Sequence, residues 1–263
     1  MEKPSVLVLG ATGRIGTLLR RRWPEGRARW EDRAVFATPA ALAAAARGCS
    51  AILCLAGVTP AAAARGGDLA DNGRLALMAL RAGAEAGARV LLASSAAVYG
   101  ARAGLLAESA SLEPESGYGR AKVEMEQAAA ALARDLGVAA CALRIGNIAG
   151  LDAALGGWRP GFTLDRFADG TTPRRSYIGM ATLADQLDRL CAMEGLPAAL
   201  NLAQPGPVEM GALLEAAGLA WHPRPAPPGA IPEVALDLAQ LALRLPLAPA
   251  TPAGLVAEWR RAG

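Results

Sequence analysis

The stretch of sequence that decides the fold is SVLVLGATGRIG, residues 5–16 of the 263-residue chain. Its first part, residues 5–9, is a short apolar run of the kind that forms a buried strand. Residues 14–22 follow with helical character. Three glycines spaced as G-x-x-G-x-x-G therefore stand at a junction between a strand and a helix, which is where nucleotide-binding sheets hold a phosphate group.

Each glycine of this loop has its own physical reason. Gly10 permits the tight turn, Gly13 lets the backbone approach a pyrophosphate, and Gly16 lets the helix pack on the strand. The N–H groups at the helix start would face the anion. An ordinary tight turn would also explain a glycine triplet alone, but its place at the first strand–helix junction favours a dinucleotide. We therefore predict cofactor contacts from Gly10, Thr12, Gly13, Arg14, Ile15 and Gly16.

Strands and helices alternate along most of the chain beyond this loop. That order indicates an α/β fold, a doubly wound parallel sheet of the Rossmann type with a small C-terminal substrate-binding lobe. We predict that residues 1–150 form the dinucleotide-binding region with the catalytic residues, and that 151–263 form a smaller substrate-binding region, partly returning to the sheet. The predicted strands are 5–9, 27–31, 51–55, 89–93, 138–143 and 199–202, and the predicted helices are 14–22, 39–47, 69–87, 118–136, 182–193, 208–217 and 255–261. The five prolines of 222–232 predict an irregular, stiff connection.

The composition excludes several classes of protein. With 53% hydrophobic and 19% charged residues the chain is not disordered, and a net charge of +3 is too small to indicate nucleic acid or a membrane surface as partner. No run of 18 apolar residues and no signal-peptide core is present, so we expect a cytoplasmic protein without a membrane span. The four cysteines form no C-x-x-C pair and His222 is the only histidine, so we expect free thiols and no metal site.

A second loop supports a dinucleotide site. Leu55, Ala56 and Gly57 follow the predicted strand at 51–55. Small residues there would let a cofactor lie across the carboxyl ends of neighbouring strands, although an ordinary turn at a strand end is equally compatible.

The end of the second strand bears on the choice of cofactor. Glu31, Asp32 and Arg33 stand there. A carboxylate favours the free 2′-hydroxyl of NAD, whereas an arginine favours the 2′-phosphate of NADP. Because both are present, the sequence leaves NAD or NADP open, with Asp32 and Arg33 as the candidate contacts.

The candidate catalytic residues lie in Y-x-x-x-K and at an earlier strand end. Tyr118 and Lys122 are four residues apart on a predicted helix, so the phenol and the ammonium can point into one cleft. We expect a close ammonium and a positive nicotinamide ring to lower the pKa of Tyr118, which could then exchange a proton at a carbonyl–alcohol centre. Ser95, at the carboxyl end of a parallel strand, can hold the reacting oxygen toward Tyr118. A surface tyrosine beside a solvated lysine, and a capping serine, are the structural alternatives.

The three signals together resemble the extended branch of the short-chain dehydrogenase/reductase family, the NAD(P)-dependent sugar-nucleotide epimerases and dehydratases. The resemblance covers the chain from residue 5 to about 203. The matching segments are GATGRIG (10–16), LAG (55–57), SSAAVYG (94–100), YGRAK (118–122), RIGN (144–147) and RRSYI (174–178).

The resemblance implies roles for particular residues. It implies Ser95, Tyr118 and Lys122 as the catalytic trio, with Lys122 also holding the ribose, and Asn72 as the helix asparagine that supports the nicotinamide end. It implies that Asn147 and Arg175 contact a sugar-nucleotide substrate, the arginine on its diphosphate, for which an arginine fork is suited in its own right.

Three departures from the family pattern limit the roles that the resemblance implies. The family usually continues RRSYI with a histidine and an aspartate, whereas here Gly179-Met180-Ala181-Thr182 follows, which puts the anchoring of the substrate lobe in question. The dehydratases and decarboxylases of the family place acidic residues where this chain has Ala96 and Ala97, so we do not expect elimination or decarboxylation. The chain is also short in its substrate-binding part, which allows a smaller substrate.

Three hypotheses about function remain. The leading one is an NAD(P)-dependent oxidoreductase or epimerase acting on a secondary alcohol or ketone of a sugar. Asn147 and Arg175 favour a nucleotide-linked sugar. The second is a compact dehydrogenase of a free sugar, a sugar acid or another small carbonyl compound. The third is a non-catalytic dinucleotide-binding sensor or assembly protein. Relatives often dimerise through two long helices, here 69–87 and 118–136, so a homodimer is possible.

Overall fold

The computed structural model describes residues 6–262, which form two compact units. The first contains the chain up to Gly100 together with Leu112–Arg144 and Ala184–Leu200. The second contains Ala101–Ser111, Ile145–Leu183 and the chain from Asn201 onward. The polypeptide thus passes between the units several times. The division near residue 150 into two functional regions, which we predict from the sequence, stays a prediction.

The elements of the first part of the chain alternate as expected. Two short 3₁₀ helices, Arg33–Ala37 and Ala96–Tyr99, accompany them. In chain order the elements are β1 (Val6–Leu9), α1 (Arg14–Arg22), β2 (Ala28–Glu31), α2 (Pro39–Ala46), β3 (Ala51–Cys54), α3 (Pro60–Ala63), α4 (Asp71–Ala86), β4 (Arg89–Ser95), β5 (Gly104–Leu106), α5 (Gly117–Leu136) and β6 (Ala140–Ile145).

The second part of the chain has shorter elements. Most of its strands have two to four residues. In chain order the elements are β7 (Asn147–Ile148), β8 (Thr163–Arg166), β9 (Arg174–Arg175), β10 (Tyr177–Ile178), α6 (Met180–Ala192), β11 (Ala199–Leu202), β12 (Val208–Glu209), α7 (Met210–Ala217), β13 (His222–Pro225), β14 (Glu233–Leu236), α8 (Ala239–Ala242) and α9 (Pro252–Ala262).

A six-stranded sheet in the order β11-β6-β4-β3-β1-β2 is the centre of the fold. Strand β1 pairs in parallel with both β2 and β3, so the chain order reverses on the two sides of β1. A reversal of this kind opens a crevice at the carboxyl ends of the strands, which is where ligands bind in open α/β sheets. The predicted α/β class and doubly wound parallel sheet are confirmed.

Local sequence explains the elements of this sheet. Strands β1 and β3 are apolar at every position and fully buried, as strands covered on both faces must be. One core cluster joins Leu7, Ile52 and Leu92 of the strands to Leu80 and Met125 of α4 and α5. The helix boundaries carry residues suited to helix ends: Thr38 caps α2, Pro39 is its first residue, and Gly137, with φ of +64°, caps the end of α5.

Small sheets form the second unit. A four-stranded sheet has the order β12-β9-β14-β5, and two pairs, β10-β7 and β13-β8, complete the strands of this unit. Its core is a separate apolar cluster around Leu164, Tyr177, Leu213 and Leu255. The pairing of β14 with β5 joins segments far apart in the sequence, with Val234 opposite Gly104.

The prediction of an irregular connection over residues 222–232 is wrong for its first four residues. His222–Pro225 form β13, which pairs in parallel with β8. The amide of His222 donates to the Phe162 carbonyl and that of Ala226 to the Arg166 carbonyl. Pro223 and Pro225 alternate with the donors, so the missing N–H groups fall on the free side of an edge strand, where proline is tolerated. A smaller correction applies to 208–217, where a two-residue strand precedes α7.

The departure from the family pattern at Gly179 has a structural counterpart in α9. Glu258 accepts hydrogen bonds from the Thr182 amide at 2.9 Å and the Thr182 hydroxyl at 2.7 Å, and so satisfies donors in the first turn of α6. A Cβ atom on Gly179 would lie 2.2 Å from a Glu258 carboxylate oxygen. A carboxylate from the C-terminal helix thus satisfies the helix start, and only glycine leaves room for it.

Further expectations concern the cysteines, the histidine, a membrane span and the pairing of two copies. The four cysteines are free thiols, as predicted, and all four are buried, whereas His222 is exposed. Among the described residues no helix is both long and apolar enough to cross a membrane. Pairing of two copies through α4 and α5 stays a prediction.

Candidate active site

The glycine loop between β1 and α1 is tightly packed on two sides and open on the third. A Cβ atom on Gly10, whose φ is +90°, would lie 2.8 Å from the Ala56 amide nitrogen, and one on Gly16 would lie 2.4 Å from the Gly10 carbonyl oxygen. A Cβ atom on Gly13 would meet only that same carbonyl oxygen, at 3.2 Å. Gly13 therefore presents bare backbone at the start of α1, in line with its predicted contact to a pyrophosphate.

The remaining predicted residues of this loop lie around that open side. Thr12 and Arg14 are exposed and Ile15 is half-buried. Gly13 is the N-cap of α1 and offers no side chain to cap it. A ligand anion could therefore approach the helix start directly.

The second loop lies beside the first. The Leu55 amide donates to the Leu9 carbonyl, and Ala56 packs against Gly10. A Cβ atom on Gly57 would lie 2.4 Å from Oδ1 of Asn72 and 3.7 Å from Nζ of Lys122. The structure thus brings the loop of residues 55–57, Asn72 and Lys122 together.

Asn72 is buried and fully engaged with the backbone. Its Oδ1 accepts from the Val58 amide at 3.2 Å, and its Nδ2 donates to the carbonyls of Val58 and Leu69, both at 3.1 Å. These contacts brace the second loop from α4. Direct support of a nicotinamide by this side chain stays a prediction.

The candidate ribose contacts follow β2. The Glu31 carbonyl accepts from the amides of Gly10 and Ala11, which ties the strand end to the glycine loop. Asp32 accepts from the Ala34 amide and caps a 3₁₀ helix. Arg33 forms an ion pair with Asp71, and Arg74 holds the same carboxylate at 2.7 Å. Arg33 is thus neutralised by a neighbouring carboxylate, whereas Asp32 is exposed.

Tyr118 and Ser95 meet at the carboxyl end of β4. Ser116 caps α5 by accepting from the Gly119 amide at 3.0 Å, which starts the helix just before Tyr118. The side chains of Tyr118 and Ser95 share a hydrogen bond. Ser95 also accepts from the Ala97 amide at 3.2 Å, which orients its hydroxyl. The predicted hydroxyl pair is therefore present in the first unit.

Lys122 lies one turn along α5 and is buried, with 5% of its surface exposed. Its ammonium donates to the Ala93 carbonyl at 2.7 Å and lies 5.7 Å from the centroid of the Tyr118 ring. Burial lowers the pKa of Lys122 to about 8, while Cys54 and Glu126 raise it. The structural alternative for Y-x-x-x-K requires a solvated lysine, and Lys122 is instead buried.

The lowering of the Tyr118 pKa that we expect beside an ammonium and a nicotinamide ring stays a prediction. Burial raises the pKa of the Tyr118 phenol, and the hydrogen bond from Ser95 only lowers it in part. The ammonium of Lys122 is not hydrogen-bonded to the phenol oxygen, and desolvation disfavours the phenolate. A phenolate at neutral pH would need a further positive charge next to the ring.

A buried charge network next to this site escaped the sequence analysis. Glu126 accepts from Nε and Nη2 of Arg144 at 3.1 and 2.8 Å and from the hydroxyl of Ser94. Arg144 also donates to the Tyr99 hydroxyl at 2.9 Å. The available signals were an arginine inside the apolar strand β6 and a glutamate four residues after Lys122, on the same helix face.

The predicted substrate residues lie in the second unit. The side chain of Asn147 hydrogen-bonds Tyr177, whose hydroxyl donates to Asp152 at 2.9 Å. Arg175 is half-buried, and its guanidinium donates to the backbone carbonyls of Arg174 and Ile231 at 2.7 and 3.3 Å. Its charge therefore has no carboxylate at ion-pair distance among the described residues, and burial lowers its pKa. Arg174, in contrast, pairs with Glu233 at 3.1 Å.

Several solved structures have the same fold. A UDP-N-acetylglucosamine 4-epimerase from Methanobrevibacter ruminantium M1, in complex with UDP-N-acetylmuramic acid, is 18% identical with a TM-score of 0.76, over 100% of this chain and 97% of its own. The dTDP-glucose 4,6-dehydratase DesIV from Streptomyces venezuelae, as a double mutant with NAD and DAU bound, is 21% identical with a TM-score of 0.73, over 97% and 95%. MoeE5 in complex with UDP-glucose and NAD is 23% identical with a TM-score of 0.72, over 98% of both chains.

At these identities the structural likenesses establish the fold alone. No curated protein is similar enough in sequence to count as a match. The family model for the NAD dependent epimerase/dehydratase family matches residues 6–157, more than half of the chain and the whole glycine loop, strand β4 and helix α5. The chain therefore belongs to the NAD dependent epimerase/dehydratase family and is an enzyme of the extended short-chain dehydrogenase/reductase type.

Proposed function

We propose that this enzyme binds NAD or NADP and moves hydride to or from a secondary alcohol or ketone of a sugar, with Tyr118 as the proton-transfer residue. The observation that carries the proposal is the cluster of Tyr118, Ser95 and Lys122. Two hydroxyls share a hydrogen bond beside a buried ammonium, at the carboxyl ends of the strands that also carry the glycine loop. Perturbed ionisable groups in such a place are typical of active sites.

The residues of the first unit fit a dinucleotide. Gly13 offers bare backbone at the start of α1, and Gly57 leaves room beside Lys122. The ammonium of Lys122 donates to one carbonyl and lies 3.9 Å from the Met125 sulfur, a weak acceptor, so it retains hydrogen-bonding capacity for a ribose hydroxyl. Bound NAD(P) would supply the hydride donor or acceptor.

The division of labour among the three side chains follows from their contacts. Ser95, oriented by the Ala97 amide, would hold the substrate oxygen against the Tyr118 hydroxyl. Tyr118 would give a proton to that oxygen when a ketone is reduced and take one when an alcohol is oxidised. Lys122 would bind the ribose and provide positive charge near the phenol, whose pKa burial otherwise raises.

The supporting observations for a nucleotide-linked sugar are the predicted substrate residues. Arg175 presents a half-buried guanidinium without a carboxylate partner among residues 6–262, and guanidinium groups suit diphosphates. The solved epimerase and MoeE5 were each crystallised with a UDP-linked sugar. Ala96 and Ala97 leave no carboxylate next to Ser95, so we favour oxidoreduction or epimerisation over elimination.

A dehydrogenase of a free sugar or sugar acid is the second candidate, since the guanidinium of Arg175 already donates to the backbone carbonyls of Arg174 and Ile231. A thermal-shift screen separates the two, because a ligand that binds only the folded state raises the melting temperature. We expect NAD or NADP to raise it, and UDP- or dTDP-sugars to raise it further. If free sugar acids stabilise the protein and nucleotide sugars do not, the second candidate replaces the first.

Tyr118→Phe tests the catalytic assignment once a substrate is found. We expect turnover to fall by about 10²–10⁴-fold, the usual contribution of a positioned proton-transfer group. The cofactor should still raise the melting temperature, because the change removes one hydroxyl only. Unchanged turnover would end the role of Tyr118, and unchanged function with retained cofactor binding would support a non-catalytic sensor.

A further inference from the structure

The buried network behind the catalytic helix links α5 to three neighbouring parts of the first unit. Glu126 and Arg144 are 8% and 5% exposed, Ser94 is 4% exposed, and Tyr99 is fully buried. A bidentate carboxylate–guanidinium pair with further hydrogen bonds at both ends is fully satisfied, as a buried pair must be. The network therefore fixes α5 against β4, the following 3₁₀ helix and β6.

Three consecutive residues at the end of β4 each contact one residue of α5. The Ala93 carbonyl accepts from Lys122, the Ser94 hydroxyl donates to Glu126, and Ser95 shares a hydrogen bond with Tyr118. The three residues of α5 are spaced by four, so they form one stripe along the helix. Glu126 is the end of this stripe and the one member with a formal negative charge.

From this arrangement we propose that Glu126, held by Arg144 and Ser94, is a positioning residue for the reaction. It fixes the helix of Tyr118 and Lys122 against the strand end that carries Ser95, and it is the counter-charge that keeps Lys122 cationic. The inference rests on the function proposed above, because a cationic Lys122 matters only if it binds the ribose and acts on Tyr118.

The groups that face Lys122 support the counter-charge role. On β3 the facing group is Cys54, on β4 it is the neutral Ala93 carbonyl, and on α5 itself they are the Tyr118 ring and Glu126. Burial raises the pKa of the Cys54 thiol to about 11, so this thiol is uncharged when Lys122 titrates near pH 8. Among these facing groups Glu126 is the one carboxylate, and it forms an ion pair with Arg144.

The sign of the effect follows directly. Burial lowers the pKa of Lys122 to about 8, and the negative charge of Glu126 opposes part of that fall. Removing the charge should lower the pKa of Lys122 further, so the ammonium would lose its proton at a lower pH. The upper pH limit of activity should move down with it, which a purely structural role of Glu126 would not cause.

The composition of the chain makes the titration of Lys122 directly measurable. Lys3 and Lys122 are the only lysines of the full sequence. In protein labelled with ¹³C at the lysine ε-carbon, the NMR spectrum should contain two lysine signals, and the signal that Lys3→Arg leaves in place belongs to Lys122. The measurement needs no substrate, cofactor or turnover.

The key variant is Glu126→Gln, and Glu124→Gln on the exposed side of the same helix is its matched control. We expect the Lys122 midpoint to fall by about one pH unit in Glu126→Gln, the lower end of the effect of a nearby opposite charge. It should be unchanged in Glu124→Gln and restored in Glu126→Asp. Where turnover is measurable, the upper pH limit of kcat should move by the same amount in Glu126→Gln.

A buried Arg144 without its carboxylate can prevent folding of Glu126→Gln, so a second variant is needed. Glu126→Gln combined with Arg144→Met removes both charges, and the Lys122 midpoint should again fall. An unchanged midpoint in either folded variant overturns the proposal. Because the titration is independent of ligands, this outcome is distinct from failure of the proposed function, which would be seen as absence of any cofactor-induced thermal shift.

Discussion

The polar side chains of the two units are held in different ways. In the first unit some side chains in and beside the predicted catalytic cluster bond to one another, as Tyr118 does to Ser95 and Glu126 to Arg144. In the second unit the guanidinium of Arg175 bonds to backbone carbonyls and forms no ion pair among the described residues. For the proposed function, the contrast would mean a catalytic cluster organised by its own hydrogen bonds and a guanidinium that remains available to an anion.

The residue types of the first unit strengthen this interpretation. The chain has 27 basic residues, yet only two are lysines, and Lys122 is the one among the described residues. An arginine could not lose its proton at any ordinary pH, whereas a buried lysine can titrate. A sequence that uses arginine almost everywhere else and places a lysine at this buried position has a chemical reason for it.

We expect the largest effect from two substitutions in the glycine loop. One should mainly affect folding, and the other should mainly affect cofactor binding. In Gly16→Ala the new Cβ atom would lie 2.4 Å from the Gly10 carbonyl oxygen and 2.8 Å from the Ala11 backbone, so we expect a loss of about 3 kcal/mol in the free energy of unfolding. Gly13→Ala should cost less, about 1 kcal/mol, because its Cβ would lie 3.2 Å from the same oxygen and alanine is a poorer N-cap than glycine, and it should weaken NAD(P) binding. Urea unfolding and cofactor titration of both variants test this, and equal effects on stability would contradict it.

Removing the Glu258 carboxylate should destabilise the second unit and leave NAD(P) binding by the first unit nearly unchanged. Glu258→Ala leaves the Thr182 amide and hydroxyl without their acceptor, and we expect a loss of about 2 kcal/mol in the free energy of unfolding. Glu215→Ala, on the exposed face of α7, is the control and should change little. Urea unfolding measures stability, and NAD(P) affinity of the folded variant should match that of the unaltered protein. A large loss of cofactor affinity would refute this separation.

The two units also differ in how far sequence reasoning could predict them. Strand β1, the glycine loop and Y-x-x-x-K are local patterns, so the parallel sheet and the cluster of Ser95, Tyr118 and Lys122 could be inferred. Local physics dictates these features: an apolar run buries itself, and residues four apart share a helix face. The same reasoning overlooked the network of Glu126 and Arg144, because a buried ion pair depends on which elements pack together.

The second unit was less accessible to sequence reasoning for a related reason. Its strands have few residues and pair with segments far away, as β14 does with β5. A run of two to four residues has no measurable periodicity, and the prolines of β13 concealed an edge strand. The cap of α6 by Glu258 could not be predicted either, since it joins residues 76 positions apart.

Substitution of Arg175 should have a moderate effect on KM, whereas the same substitution of the adjacent Arg174 should have little. Arg175→Met removes the guanidinium that lacks a carboxylate partner, and we expect about a tenfold rise in KM for a nucleotide-sugar substrate, equal to about 1.4 kcal/mol, with a smaller change in kcat. Arg174→Met is the matched control, because Arg174 is exposed and already paired with Glu233. Steady-state kinetics on both variants measure the difference. Equal KM values would remove Arg175 from the proposed substrate site.

The smallest effect concerns the choice between NAD and NADP. Arg33 is the candidate partner of a 2′-phosphate, but it forms an ion pair with Asp71, and the carboxylate of Asp32 lies beside it in the sequence. Two carboxylates near the ribose position favour the uncharged 2′-hydroxyl, so we expect NAD to bind more tightly than NADP. Asp71→Asn would release Arg33 and remove one negative charge, which should improve NADP affinity by about threefold, in line with the small energy of an ion pair at the protein surface. Titration of both cofactors at two salt concentrations measures this, and the gain should shrink at high salt because the Arg33 guanidinium is exposed. If NADP binds more tightly than NAD to the unaltered protein, Arg33 reaches the phosphate in spite of Asp71, and the ion pair does not determine cofactor choice.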